Sequence, residues 1–430
     1  MTTEINTSGV PLAIFDCNAM YVSTHMIFEP WKAAHPAVVL SVNDGNIVAR
    51  SAEAKRLGIT MGQPWHEVAP LYRAGKLYVY SANFVLYQSI SDRIMTLLAR
   101  EAGRVSPYSV DEAWVSPPPI SGDLEPWGRE IRASIMKQIG MPMGVGIGTT
   151  KTMAKLANWA AKKWAHQTGN VVDIRLDDRL EKLLKAAPVG EIWGIGPRLT
   201  KRLESDLRIT SAWQLAMADK RLLRRHFGVT VERTARELCG ERCFDFEDDP
   251  VPQQTIISSQ SFGQKVQDKE VLASAVATYV ARGAAKLRRQ GSLTHCLSVF
   301  ARTSPFARTG EPYSASQIIS FNSPTSDTRD LTAAAMEAVD RIYRPGVQFA
   351  KAGIQLSQFV PAKNRTDDLF APGQRPESPA VMSVMDDINR KMGRGAVRVA
   401  RAGAQHGWEM KRQFASPHYT TRWEDLPVAR

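Results

Sequence analysis

With 430 residues the chain exceeds what a single hydrophobic core usually organises, so about two to four domains are expected. Hydrophobic residues make up 43% and charged residues 23%, the balance of a globular protein with material for a sizeable core. Its 55 basic against 43 acidic residues leave a formal charge of +12, which favours nucleic acid or an anionic membrane face as partner, while the longest apolar stretches fall far short of the roughly 20 residues that span a bilayer.

In chain order, the opening Met1-Thr2-Thr3-Glu4 has neither the basic region nor the apolar core of an export signal, and a cytoplasmic protein is expected. Val10 to Phe15 reads as a short buried strand ending at Asp16, followed by helix-compatible sequence from Ala19 to about Phe28. Val38 to Val42 is a second strand and Asn43-Asp44-Gly45 a turn. A helix is predicted around Arg50 to Leu57, stopped by Gly58, and a longer one over Phe84 to Ala99. Val105 to Val110 and Ala113 to Val115 read as two short strands meeting at the acidic corner Asp111-Glu112, the second ended by Pro117, Pro118 and Pro119. A helix over Arg129 to Ile139, a strand over Met143 to Ile147 and an alanine-rich helix over Lys151 to Trp164 complete an antiparallel or mixed sheet backed by helices. On such a sheet Asp16 can meet the acidic pair of the neighbouring strand.

The stretch from Pro197 to about Gly240 reads as helical and basic, with Arg221, Arg224, Arg225 and His226, and Phe244 to Pro252 as an acidic linker. Strands over Ile256 to Phe262, Leu293 to Phe300 and Gln348 to Phe359 alternate with helices near Glu270 to Arg289 and Leu331 to Ile342, the composition of a separate α+β domain. Beyond Pro361 the chain is polar, with one helix predicted over Ala380 to Lys391; the tail from Gly393, which carries Trp408 and Trp423, is assigned no fold. Cys17, Cys239, Cys243 and Cys296 are too few and too irregular for a disulfide framework and lack zinc spacing, so reduced thiols are expected.

Phosphoryl transfer by two metals needs carboxylates that hold the ions about 3.5–4 Å apart, and an Asp-Glu pair sends two side chains out of one strand end in different directions. Taken alone, acidic residues at strand ends are more often turn or surface residues. The run Gly144 to Thr152 fails the phosphate-loop pattern, because Thr150 stands where a glycine must precede Lys-Thr, and it fails the dinucleotide fingerprint at Thr149. It reads instead as a strand whose glycines admit another backbone. The following helix would present Lys151 and, one turn on, Lys155 to an anionic ligand, although two solvated lysines would look the same. Gly194-Ile195-Gly196 suits a hairpin that offers backbone N–H groups to a phosphate, with Lys201 and Arg202 on the next helix, or an ordinary glycine turn. Arg282, Arg288 and Arg289 form either a second phosphate-contacting face or a solvated helix face.

Taken together, the motifs resemble those of the Y-family translesion DNA polymerases, of the bacterial UmuC type found as the catalytic subunit of DNA polymerase V. The resemblance is carried by Asp16-Cys17-Asn18-Ala19-Met20-Tyr21, Asn43-Asp44-Gly45, Ala52-Glu53-Ala54-Lys55, Tyr108-Ser109-Val110-Asp111-Glu112-Ala113, Gly144 to Gly148 through Lys151 to Asn158, and Trp193-Gly194-Ile195-Gly196. It continues through Ser261-Phe262-Gly263, Thr303 to Phe306 and the tail from Met410 to Arg422, so it covers nearly the whole chain.

The resemblance implies an α+β right-hand polymerase: palm over 10–45 and 82–178, fingers over 46–81, a helical thumb with a helix-hairpin-helix over 179–248, a linker over 249–255, a separate α/β little finger over 256–360, and a C-terminal partner-interaction region over 361–430. It implies a DNA-directed DNA polymerase that transfers nucleotides from dNTPs to a primer 3′-OH with two Mg²⁺ ions, in error-prone translesion synthesis during the SOS response. Asp16, Asp111 and Glu112 match the catalytic carboxylates, with the Cys17 backbone carbonyl as a further metal ligand. Tyr21 matches the gate that crowds a ribose 2′-OH, and Arg50, Lys55 and Lys151 match the triphosphate contacts. Small residues at Ala49, Ser51, Ala52 and Ala54 suit a roomy pocket that gives up discrimination. Expected partners are primer–template DNA and dNTPs, a cleaved UmuD-type dimer, a RecA-type recombinase filament and the sliding clamp. The clamp peptide keeps Leu369-Phe370 but lacks the opening Gln. A non-catalytic DNA-binding relative would have no chemical reason to keep Asp16, Asp111, Glu112, Tyr21 and Lys151 together, and a metal-dependent nuclease leaves Tyr21 and the lysines unexplained.

Overall fold

In the computed structural model, which describes residues 9–119, 122–176, 178–246, 252–306, 311–364, 375, 377–393, 395–403, 408 and 410–426, the first apolar run forms β1 (Leu12–Cys17), buried along its whole length. The chain divides into two units: 1–41, 45–249 and 414–430 form the first, 42–44 and 250–413 the second.

Seven further strands of the first unit are β2 (Ala37–Leu40), β3 (Ile47–Arg50), β4 (Tyr78–Ser81), β5 (Arg104–Pro107), β6 (Glu112–Ser116), β7 (Met143–Gly148) and β8 (Val171–Asp173). Its helices are α1 (Met20–Phe28), α2 (Ala52–Arg56), α3 (Trp65–Arg73), α4 (Phe84–Glu101), α5 (Glu125–Ile139), α6 (Lys151–Lys163), α7 (Ala165–Thr168), α8 (Arg179–Ala186), α9 (Pro197–Leu207), α10 (Ala212–Met217), α11 (Lys220–Phe227) and α12 (Val229–Glu237). The main sheet runs β5-β6-β1-β7-β8, antiparallel except for the parallel β7–β8 pair, which is the mixed sheet expected.

Strand parity decides what each face carries. Ala13, Phe15 and Cys17 pack with Ile90, Ile94 and Leu98 of α4 and Trp127 and Ile131 of α5. Leu12, Ile14 and Trp114 turn the other way, to Ala154 of α6. Asp16 and Glu112 have the parity of that second face. The glycines of β7 explain how α6 comes so close. A Cβ at Gly146 would overlap the Ala154 carbonyl oxygen and the Asn158 amide nitrogen, and one at Gly144 would come within 2.7 Å of the Asn158 side-chain oxygen. The glycines therefore let a helix rest directly on strand backbone, as their spacing suggests.

A smaller sheet, β3-β2-β4, pairs β2 with β3 antiparallel and with β4 in parallel. It corrects one expectation: Arg50 ends a strand rather than starting a helix. β2, from the stretch expected to be palm, shares its sheet with β3 and β4, from the stretch expected to be fingers. Helix α3 and strands β3, β4 and β8 were not foreseen. Helices α8 to α12, with Met153 and Leu156 of α6, form a further apolar cluster that includes Leu203, Leu215, Leu223 and Val231, mostly in the region expected to be the thumb.

The second unit contains β9 (Thr255–Val266), α13 (Lys269–Arg289), β10 (Ser292–Arg302), β11 (Ser314–Thr325), α14 (Thr328–Ile342), β12 (Phe349–Pro361) and α15 (Ser378–Lys391). Its antiparallel sheet has the order β11-β10-β12-β9, and α13 and α14 pack together over a core that includes Leu272, Tyr279, Leu297, Ile354 and Leu356. Beyond residue 361 the described chain is more ordered than the sequence suggests. Trp408 is buried in the core of the second unit, and Tyr419 is buried in the first.

Candidate active site

β1 and β6 bring Asp16 and Glu112 directly opposite each other, and β7 places Gly144 on the other side of Asp16. The Asp111 backbone joins the same corner: its carbonyl accepts a hydrogen bond from the Cys17 amide at 2.8 Å. Helix α6 lies above, with Lys155, Asn158 and Lys162 at spacings of three and four on one face. Lys155 Nζ lies 2.5 Å from Glu112 Oε1 and Lys162 Nζ 2.5 Å from Asp16 Oδ1. Asn158 Nδ2 donates to the second Asp16 oxygen at 2.8 Å. One helix thus neutralises both carboxylates.

The carboxylate of Asp111 is turned aside, where the Ser109 hydroxyl donates to it at 2.5 Å. Among the described residues no three His, Cys, Asp or Glu side chains converge as a metal-holding group. The donor chemistry nevertheless fits hard divalent cations, which take carboxylate and carbonyl oxygens. The Cys17 thiol is pushed up by burial and then by Asp16 and Asp111; Lys162 opposes this and Glu112 adds to it. Burial also raises the Glu112 carboxyl; the Lys155 hydrogen bond opposes this and Asp16 adds to it.

Tyr21 begins the first turn of α1, stacked on Tyr87 at 4.3 Å between ring centroids and edge-on to Phe84 at 6.0 Å. Burial raises its hydroxyl, and the Asp111 charge raises it further, which ties the ring to the acidic corner.

The expected triphosphate contacts fare differently. Lys55 is exposed on α2, while the guanidinium of Arg50 donates to the Ile59 carbonyl. Lys151 is only 6% exposed, its ammonium 5.6 Å above the Trp114 ring. The first turn of α6 is also closed to an anion. Buried Glu237 accepts from the Thr152 amide at 2.8 Å and the Thr152 hydroxyl at 2.7 Å. The cations of α6 that pair with the acidic corner are Lys155 and Lys162. Lys162 was missed in the sequence, although its spacing of seven from Lys155 was the available signal. Of the small residues, Ala49 and Ala54 are buried in cores, Ser51 caps α2 by accepting from the Ala54 amide, and Ala52 alone is exposed.

Gly194, at φ +86°, and Gly196 are exposed on either side of buried Ile195, immediately before α9. Lys201 is exposed; Arg202 is engaged with the His226 carbonyl at 2.9 Å and with the Phe227 ring. Arg282 and Arg289 are exposed on α13. Arg288 is a correction: its guanidinium makes two 2.7 Å bonds to Asp386 of α15 and a third to the Ser326 carbonyl, so it fastens a helix instead of facing solvent. Leu369 and Phe370 lie outside the described residues. No helix among the described residues is long and apolar enough to cross a membrane.

Solved structures give the class first. A Y-family DNA polymerase chimera of Dbh and Dpo4 matches with a TM-score of 0.62 at 18% identity, covering 81% of this chain and 99% of that one. An insertion ternary complex of Dbh DNA polymerase matches at 0.51 over 81% and 98%. The fold is that of a Y-family DNA polymerase. The family models narrow this: residues 15–159 match the impB/mucB/samB family, 253–369 the C-terminal domain of that family, and 379–429 a domain of unknown function (DUF4113). Among curated relatives, Protein ImpB of Salmonella typhimurium is 41% identical over 97% of this chain and 99% of its own length. Protein UmuC of strain LT2 of the same species is 42% identical over 96% and 99%, and Protein SamB is 43% identical over 97% and 99%. The chain belongs to the impB/mucB/samB family of Y-family DNA polymerases. Its activity is DNA-directed, error-prone translesion synthesis, and its ligands are DNA and dNTPs.

Proposed function

We propose that Asp16, Asp111 and Glu112, with the Cys17 carbonyl, hold two Mg²⁺ ions that serve nucleotidyl transfer from a dNTP to a primer 3′-OH. The observation that carries this reading is the strand register: it sets Asp16 against Glu112 beneath a helix face that supplies compensating positive charge. Held there, two divalent ions would supply a lowered pKa for the attacking hydroxyl and charge stabilisation for the transferred phosphoryl group. The chain's own residues prepare the site. Lys155 and Lys162 pair with Glu112 and Asp16 in a partly desolvated setting, and their flexible stems allow the ammonium groups to turn to the triphosphate once the carboxylates are otherwise engaged. Asn158 fixes the orientation of Asp16, and a rotation of Asp111 away from Ser109 completes the donor set. Tyr21 crowds the sugar.

Lys201, Arg282 and Arg289 and the turn at Gly194 to Gly196 are proposed to meet DNA phosphates, positioning the duplex without reading bases. A cleaved UmuD-type dimer, a RecA-type filament and the sliding clamp are proposed as partners on the strength of the family, and the setting is the cytoplasm, at the nucleoid. The test is primer extension on an abasic template with Mg²⁺ and all four dNTPs, with and without the cognate UmuD-type protein and activated recombinase. Extension by the wild type that falls at least about a thousandfold in Asp111→Ala supports the assignment. Equal extension by folded Asp111→Ala would remove that residue from the chemistry.

A further inference from the structure

Helix α1 carries rings at Tyr21, His25 and Phe28, spacings of four and three that align them on one face. Each meets a second ring in a near-parallel stack: Tyr21 with Tyr87 at 4.3 Å and 12°, His25 with Tyr80 at 4.0 Å and 8°, and Phe28 with Tyr419 at 4.4 Å and 2°. The ladder is cross-linked by polar contacts. His25 Nε2 lies 3.0 Å from the Tyr87 hydroxyl, and the Tyr80 hydroxyl donates to Glu29 at 2.6 Å. Burial, helped by Lys32, lowers the His25 pKa to about 3, so the middle rung is neutral at ordinary pH.

Two of the three partner rings come from β4 and α4. The third comes from the C-terminal segment, within the stretch that matches a domain of unknown function. That segment is seated by more than one ring. The Ser81 amide donates to the Phe414 carbonyl at 2.8 Å, and the Phe414 amide donates to the Ser81 hydroxyl at 3.0 Å, which ties the segment to the end of β4. Asn83, the cap of α4, donates to the Ser416 hydroxyl at 3.1 Å. The Phe414 ring packs edge-on against Trp65 and Tyr72 of α3, both at 5.2 Å. Tyr419 lies in the same apolar cluster as Tyr80 and Tyr87, with Tyr21 at its margin.

We propose that the segment from Phe414 to Tyr419 is a positioning element of the polymerase site, which fixes the last turn of α1 and thereby holds Tyr21 at the sugar of the incoming nucleotide. The inference rests on the reading of Tyr21 as the sugar gate. A nine-residue helix is a rod of roughly 13 Å, so freedom at Phe28 reaches Tyr21 as a tilt. Tyr419 touches no substrate; it acts through the ladder.

The experiment compares kcat/KM for one dNTP and the matching rNTP in full-length wild type, Tyr21→Ala, Tyr419→Ala and Tyr419→Phe. Tyr21→Ala should raise the rNTP/dNTP ratio strongly. Tyr419→Ala should raise it about two- to tenfold, the worth of one aromatic stack, and Tyr419→Phe should restore the wild-type value. Amide exchange over residues 20–28 should quicken in Tyr419→Ala and not in Tyr419→Phe. A raised ratio in Tyr21→Ala beside a wild-type ratio in folded Tyr419→Ala leaves the gate standing and overturns the positioning role. An unchanged ratio in Tyr21→Ala overturns both. If Tyr419→Ala does not fold, Tyr419→Leu, which keeps the apolar bulk without a ring, is measured and judged in the same way.

Discussion

The five-stranded sheet of the first unit and the four-stranded sheet of the second differ in what covers them. In the first, β1 and β7 are buried at every residue, because α4 and α5 pack on one face and α6 on the other. In the second, α13 and α14 share one core, and the outer strand β11 is exposed at alternate positions along most of its length. The charges follow. Among the described residues the first unit buries Asp16, Lys151, Asp173, Glu232 and Glu237, against Asp44 and Asp327 in the second. Charges enclosed between two layers interact strongly and are expensive to leave unpaired, so the doubly covered sheet is where ion and proton chemistry can be arranged. A sheet with one open face suits long, wet, sequence-independent contacts such as those to DNA phosphates.

Four substitutions would break or sharpen this contrast. The largest effect is expected for Gly146→Ala. The added Cβ meets backbone on α6, so the helix must leave β7 and take Lys155, Asn158 and Lys162 with it. A loss of about 3 kcal/mol in denaturant unfolding, with nucleotide insertion falling further than stability alone explains, is the predicted outcome. Unaltered insertion would mean that the seat of α6 does not set the site. Next is Arg288→Ala, which leaves Asp386 without its paired donors and should cost about 2 kcal/mol. Faster proteolysis within 378–391 would show it, while the salt dependence of DNA binding stays that of the wild type. The smallest effect is expected for Arg282→Ala or Arg289→Ala: little change in stability, and a slope of log K against log salt that falls by about one. A comparable fall in Arg288→Ala would contradict its internal role.

The same contrast explains how much could be read from sequence. β1 and β7 are continuous apolar or glycine-bearing runs, and their bounds emerge nearly as expected, as does the meeting of Asp16 with Glu112. β11 reads Ser-Ala-Ser-Gln-Ile-Ile-Ser-Phe-Asn-Ser-Pro-Thr, and with one face in water it lacks the apolar density that marks a strand. β3 and β4 are four residues each, too short for a period to register. From its place at a helix start after glycines, Lys151 reads equally as an anion ligand or a solvated lysine; only the fold shows that Glu237, 86 residues later, bonds the first turn of that helix. The fold of the tail from Gly393 could not be read, because its order comes from partner surfaces on Phe28, Ser81 and Asn83 rather than from any pattern of its own.

Asp16 and Glu112, paired with lysines, and Asp111, bonded to Ser109, are proposed to come together around two divalent ions. The most direct measurement is the number of Mn²⁺ ions bound, by electron paramagnetic resonance, to the full chain with primer–template and a non-hydrolysable dNTP. Two ions in the wild type and fewer in folded Asp111→Ala that still binds the primer–template is the predicted result, whereas the same count in both would contradict it.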